Sequence, residues 1–193
     1  MPYREENLMK VAAFAADAHA GQRRKYVNEP YIEHPVRVMY TCMSQNMALP
    51  TLCAALLHDV LEDTKVTEDE LMIFLRSLFN HGEASEILSL VLQLTDIYTN
   101  KNYPYWNRRL RKAAELERLK TASPEAQSIK YADILDNVDA IVEEDESFAK
   151  VLLGEYQQQL KGLVKGNSIL REQALLKITE NLSKLSKFQK NIK

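Results

Sequence analysis

The segment AALLHDVLEDT, Ala54 to Thr64, sets His58, Asp59, Glu62 and Asp63 within six residues at the end of an otherwise apolar helix pattern. His58 and Glu62 are four apart, as are Asp59 and Asp63, so two adjacent helix faces turn polar together. A lone carboxylate on a core helix is strongly disfavoured or stays protonated, so a positive partner is required. A second pattern, SPEAQSIKYADILDNVDAI, interrupts a partly apolar stripe with Asp133 and Asn137. Taken alone, that pair reads equally well as a buried Asp–Asn hydrogen bond or as a contact to Lys130. A third segment, RRKYVNEPYIEHPVRV, puts His34 at a helix opening, with Arg24, Lys25 and Tyr31, candidate substrate contacts, in the loop before it. A helix-capping histidine and solvated cations are the plain structural alternative there.

Together, His34, His58, Asp59 and Asp133 form a mixed nitrogen and oxygen set suited to Mn²⁺, Fe²⁺, Mg²⁺ or Zn²⁺. A cation resolves the burial problem, and four protein ligands leave positions open for water and a phosphate oxygen. Glu62 and Asp63 lie one turn beyond, where a carboxylate could orient or deprotonate that water. Arg108, Arg111 and Lys112, in WNRRLRK, could face one way on a helix and grip a pyrophosphate. A solvated helix face accounts for the same spacing.

These groups need rigid elements, and the sequence supplies helices. It has only five Gly and six Pro, and apolar positions recur at three and four residues nearly throughout. The pattern predicts helices at about 5–20, 35–46, 50–63, 68–79, 83–96, 104–121, 124–143, 147–165 and 168–188. Thr67 with Glu70 has the form of a capping box, and Ser123 before Pro124 that of an N-cap with proline in the first turn. The stretches from Tyr26 to Ile32 and from Thr99 to Pro104 read as loops. From Asn167 on, Leu170, Ala174, Ile178, Leu182 and Leu185 form an amphipathic stripe that could cap the domain or pack against a second subunit in a homodimer. The expected organisation is one domain over residues 1–166 and a C-terminal amphipathic helix over 167–193.

Composition excludes several classes. The chain has 193 residues, 46% hydrophobic and 27% charged, with a formal charge of −2. That balance fits a globular protein with a sizeable core. It argues against a nucleic-acid polymer as partner, which calls for a broad basic surface. The basic clusters at Arg23–Lys25 and Arg108–Lys112 suit a small anion instead; Glu143 to Glu146 form an acidic run. No apolar run is long enough to span a membrane, and the opening MPYREENLMK lacks a signal-peptide core. Cys42 and Cys53 sit in apolar segments without a CxxC partner, as in a cytoplasmic protein.

The His58-Asp59 pair, with His34 before it and Asp133 after, resembles the HD superfamily of metal-dependent phosphohydrolases. The closer resemblance is to the hydrolase domain of RelA/SpoT-type enzymes and to the free-standing small alarmone hydrolases. It rests on AHAGQRRKYVNEPYIEHPVRV, AALLHDVLEDT, VLQLTD and IKYADILDNV, in the family's order, from about residue 11 to 142. The resemblance implies an all-α HD-domain helical bundle of about eight to ten helices. It implies His34, His58, Asp59 and Asp133 as ligands of one Mn²⁺, and Glu62 with Asp63 as the acidic pair acting on water. It implies Arg24, packing on the base, and Lys25 as the basic pair beside the substrate, with Asn137 as a further contact. The implied reaction removes the 3′-pyrophosphate from guanosine tetra- and pentaphosphate to give GDP or GTP.

The sequence departs from the pattern at Asp136, where relatives often carry His or Tyr, and at Asp139, where the long enzymes carry Arg. The loop KYVNEP also differs, and the stretch from Tyr98 to Ala122 is distinctive. The alternatives are the same chemistry on an adenosine alarmone, a dNTP or a nucleotide phosphate ester, or an alarmone-binding module without turnover. A purely helical scaffold would leave the four ligands apart.

Overall fold

The structure is a computed structural model describing residues 2–25, 27–141 and 146–190. Most of the acidic run from Glu143 to Glu146, like the side chain of Asp139, lies outside the described residues. Among the described residues ten helices follow one another: α1 Pro2–Ala18, α2 Glu33–Ser44, α3 Leu49–Leu57, α4 Val60–Asp63, α5 Glu68–Leu78, α6 His81–Leu94, α7 Arg108–Thr121, α8 Pro124–Ile141, α9 Glu146–Gly162 and α10 Ser168–Lys190. Among the described residues the only β pairing is an isolated bridge between Arg23 and Pro30. The all-α expectation holds. The chain divides into two compact units, residues 1–24 with 28–97, and residues 25–27 with 98–193.

In the first unit α3 is the central post, packed against α1, α2 and α6. Every residue from Thr51 to Leu57 is buried, as its apolar surface demands. Burying a leucine such as Leu56 or Leu57 contributes about 1.5–3 kcal/mol. Ala48 is extended before Pro50 in the first turn, which starts the helix cleanly. The capping box at Thr67 is formed in both directions: Glu70 N–H donates to Thr67 Oγ1, and Thr67 N–H donates to Glu70 Oε2 at 2.8 Å. Asn80 and Asn107 cap α6 and α7 one way only, each side-chain oxygen accepting from the N–H three residues on.

The predicted helix over 50–63 is not continuous. Backbone φ/ψ moves to −99°/−6° at Asp59, in the sparsely allowed bridge region. The regular helix ends at Leu57, and a new single turn begins at Val60. The side chain of His58 turns back on the old helix, with Nδ1 2.8 Å from the carbonyl of Ala55. Asp59 O then accepts from Asp63 N–H at 2.8 Å, which closes the next turn. His34 also differs from the capping position: it is the second residue of α2, after Ile32, which makes no side-chain cap.

In the second unit α8 packs against α9 and α10, and α7 against α9. Of the predicted stripe, Leu170, Ala174, Ile178 and Leu185 of α10 are buried and Leu182 is half-buried. Gln127 ties the unit together. Its Nε2 donates to the carbonyls of Leu119, Lys120 and Ala122, and its Oε1 accepts from Lys165 N–H. The orphan acceptors at the end of α7 are thereby satisfied. The turn before α10 lies flat on α8: a Cβ added to Gly166 would stand 2.6 Å from Tyr131 Cε2 and 2.8 Å from the Ser128 nitrogen. Gly166→Ala is therefore expected to destabilise the protein by about 1–3 kcal/mol. A lower urea midpoint with an unchanged slope would register it.

Candidate metal centre and active site

The break after α3 gives the site its shape. His58 is 3% exposed and His34 2%. The ring of His58 is held by its Nδ1 at the Ala55 carbonyl, so Nδ1 carries the proton and Nε2 turns its lone pair to the site. That Nε2 lies 3.1 Å from Asp59 Oδ2, and His34 Nε2 lies 3.7 Å from the same oxygen. The two imidazoles meet at 5.2 Å between centroids and 68° between planes. One ligand atom from each of His34, His58 and Asp59 falls within 4.8 Å of the others.

The residues fit a divalent cation. A neutral imidazole nitrogen and a carboxylate oxygen at 3.1 Å confront each other with lone pairs. A cation between them removes the conflict. Ligand atoms at about 2.0–2.2 Å from a common ion stand about 3–3.5 Å apart, which this spacing matches. The mixed imidazole and carboxylate donors are those expected for a first-row ion.

Asp133 belongs to the second unit. It is 4% exposed; its Oδ2 accepts from Lys130 Nζ at 2.7 Å and its Oδ1 from Asn137 Nδ2 at 2.5 Å. The hydrogen bond and ion pair expected of a structural Asp–Asn pair are therefore both present. The same bonds also orient a carboxylate and keep its charge compensated.

Glu62 and Asp63 are the last two residues of the short turn α4. Glu62 Oε2 accepts from the Asp96 N–H at 3.0 Å, which fixes it to the end of the VLQLTD segment. Asp63 Oδ2 lies 2.8 Å from the Tyr31 hydroxyl, and its backbone carbonyl accepts from Gln22 Nε2 at 2.8 Å. Crowding at the loop strips water from Asp63 and, with the charge of Asp59 adding, raises its carboxyl above the ordinary range despite the Tyr31 bond. Burial, then Asp59 and Asp63, push the Tyr31 phenol far above its usual value, so it stays a proton donor.

The loop before α2 starts at Gly21, whose φ of +79° suits glycine. It is closed by Arg24 N–H to Glu29 O and Tyr31 N–H to Gln22 O. Arg37 clamps Glu29 in a two-pronged pair at 2.6 and 3.1 Å. Within the second unit, Lys25 Nζ stands 5.4 Å from the centre of the Phe148 ring, and the Arg108 guanidinium carbon 5.8 Å from the same centre. Arg108 pairs with Glu155 through two bonds of 2.8 and 2.7 Å. Arg108 and Lys112 line a groove of about 580 Å³ between α7 and α9. Arg111 instead donates to the carbonyl of Trp106.

Two neighbours were not singled out in the sequence. His19 is 3% exposed and stacks on Tyr31, with centroids 4.6 Å apart. Gln22 bonds both His19 and Asp63. The signal was AHAGQ, which opens the first matching segment and carries both residues.

The chain belongs to the HD domain family, whose model matches residues 12–159. It is 32% identical over 171 residues to "Guanosine-3′,5′-bis(diphosphate) 3′-pyrophosphohydrolase MESH1" of Xenopus tropicalis, covering 84% of this chain and 88% of that one. It is also 32% identical over 146 residues to the "Probable guanosine-3′,5′-bis(diphosphate) 3′-pyrophosphohydrolase" of Mycoplasma pneumoniae, covering 70% of this chain. There it spans only 19% of the longer relative. The fold matches a solved structure described as a metazoan orthologue of SpoT that hydrolyzes ppGpp, with a TM-score of 0.72 at 24% identity, over 92% of this chain and 94% of that one. No helix among the described residues is long and apolar enough to cross a membrane.

Proposed function

We propose that this chain is a cytoplasmic, Mn²⁺-dependent hydrolase that removes the 3′-pyrophosphate from ppGpp and pppGpp, giving GDP and GTP. The observation that carries the reading is the convergence of His34 Nε2, His58 Nε2 and Asp59 Oδ2, with Glu62 and Asp63 one turn away. The names of relatives covering most of this chain support the substrate. Asp133 is the proposed fourth ligand, its carboxylate oriented by Lys130 and Asn137.

A divalent cation bound by these ligands supplies Lewis-acid polarisation of a phosphoryl oxygen and a lowered pKa for water. Asp63, its carboxyl raised by crowding, takes the proton of the attacking water, and Glu62 orients it. The water oxygen bonds to phosphorus, the bond to the ribose 3′ oxygen breaks, and pyrophosphate leaves as that oxygen takes a proton from solvent and Asp63 returns its own to solvent. Arg24, Lys25 and Asn137 hold the nucleotide. Arg108, Arg111 and Lys112 serve the pyrophosphate charge.

Product analysis under Mn²⁺, with ppGpp, pppApp, dNTPs and 2′- and 3′-nucleotide phosphates side by side, tests this. Stoichiometric GDP and pyrophosphate from ppGpp are expected. Turnover of another nucleotide alone would move the substrate assignment, and tight ppGpp binding without GDP would replace the enzyme with a binding module.

A further inference from the structure

Tyr31 stands in the loop ahead of α2, where the sequence places it among substrate contacts. Its hydroxyl has two partners in the structure, Asp59 Oδ2 at 2.7 Å and Asp63 Oδ2 at 2.8 Å. Those carboxylates belong to different jobs in the proposed reaction. Asp59 presents the same oxygen to both imidazoles, whereas Asp63 faces the water. One phenolic proton can serve only one of them at a time, so the hydroxyl stands between two carboxylates and its bond can pass from one to the other.

The ring is fixed as well. His19 stacks on one side, 4.6 Å between centroids at 22°, and the His34 ring meets it edge-on at 6.1 Å and 82°. His19 Nδ1 pairs with Gln22 Oε1 at 2.8 Å, and Gln22 Nε2 donates to the backbone carbonyl of Asp63. A closed circuit results: the Asp63 carboxylate bonds Tyr31, Tyr31 stacks on His19, His19 bonds Gln22, and Gln22 returns to the Asp63 carbonyl. Asp63 is therefore held at both its ends by one set of residues, and the same set reaches Asp59.

We propose that Tyr31 is a positioning residue whose hydroxyl couples the metal-ligating carboxylate of Asp59 to the water-handling carboxylate of Asp63, with His19 and Gln22 holding it from behind. A carboxylate oxygen has lone pairs enough for a cation and a hydroxyl together, and such outer partners set ligand orientation and affinity. The inference rests on the hydrolase reading for its kinetic half only.

Tyr31→Phe keeps the ring and its stack on His19 and removes only the hydroxyl. Calorimetric titration of the resting protein with Mn²⁺ is expected to show about a tenfold weaker affinity, within the range for lost outer partners. With ppGpp, kcat is expected to fall about 10–100-fold while KM stays within about twofold. A raised KM with kcat and Mn²⁺ affinity intact would overturn the proposal and make Tyr31 a substrate contact. Unchanged values throughout would overturn it outright. Placing Tyr31→Phe in an Asp63→Asn background separates coupling from general damage, because the kcat loss should largely vanish there. A full, additive loss would overturn the coupling to Asp63. If the wild-type chain made no product from ppGpp, the Mn²⁺ titration would still decide between coupling and its absence, so the two failures remain distinguishable.

Discussion

His58→Ala is expected to abolish measurable turnover, a loss of at least about 10³-fold, and to weaken divalent-cation binding beyond easy titration. The imidazole is pinned by the Ala55 carbonyl with its Nε2 directed at Asp59 Oδ2, so no neighbour can take over its place. Of the ligand atoms brought together in the first unit, only those of His34 and Asp59 would remain. Helix content should survive, because α3 is anchored by Leu52, Leu56 and Leu57 rather than by the histidine. Circular dichroism at 222 nm, metal titration and steady-state kinetics together check this. Full turnover by the variant after chelation would sink the metal-dependent mechanism.

Asp63→Asn should separate water handling from ion binding. Removing a proton acceptor typically costs 10²–10⁴-fold in rate, and about 10³-fold is expected here in kcat. Asp63 is outside the converging His34, His58 and Asp59 set, so Mn²⁺ affinity should change by no more than a few-fold. An amide oxygen can still accept from Tyr31, so the loop should hold its conformation. Parallel loss of metal and turnover would reassign Asp63 to the ligand shell. Undiminished turnover would pass the proton-accepting role to Glu62.

Much of this was legible in the sequence, for local reasons. Helices and caps follow from periodicity and from side chains three residues apart, and the Thr67–Glu70 box formed as its spacing dictates. The HDVLED segment announced a site because ionisable groups stood on a core helix. The interruption at His58 and Asp59 was not legible, since the apolar period runs through it unbroken. It depends on a side chain bonding back to Ala55, which periodicity does not encode. The division near residue 97 depends on packing between distant segments. Tyr31 reads as a substrate contact from its place in the loop of Arg24 and Lys25; the reach of its hydroxyl to Asp59 and Asp63 is set by the fold of that loop. His19 escaped notice because a lone histidine near a helix end carries no pattern of its own.

The junction between α3 and α4 has a thermodynamic corollary. Its two residues are proposed donors, and the third comes from α2, more than twenty positions earlier in the chain. An unfolded chain cannot assemble that trio at useful concentration, so an ion that binds there distinguishes folded from unfolded. Occupancy and folding of the first unit thus become linked equilibria: loading raises the free energy of unfolding logarithmically with free ion, and chelation lowers it. The break at Asp59 would then be the place where a bound ion ties α2 to the end of α3.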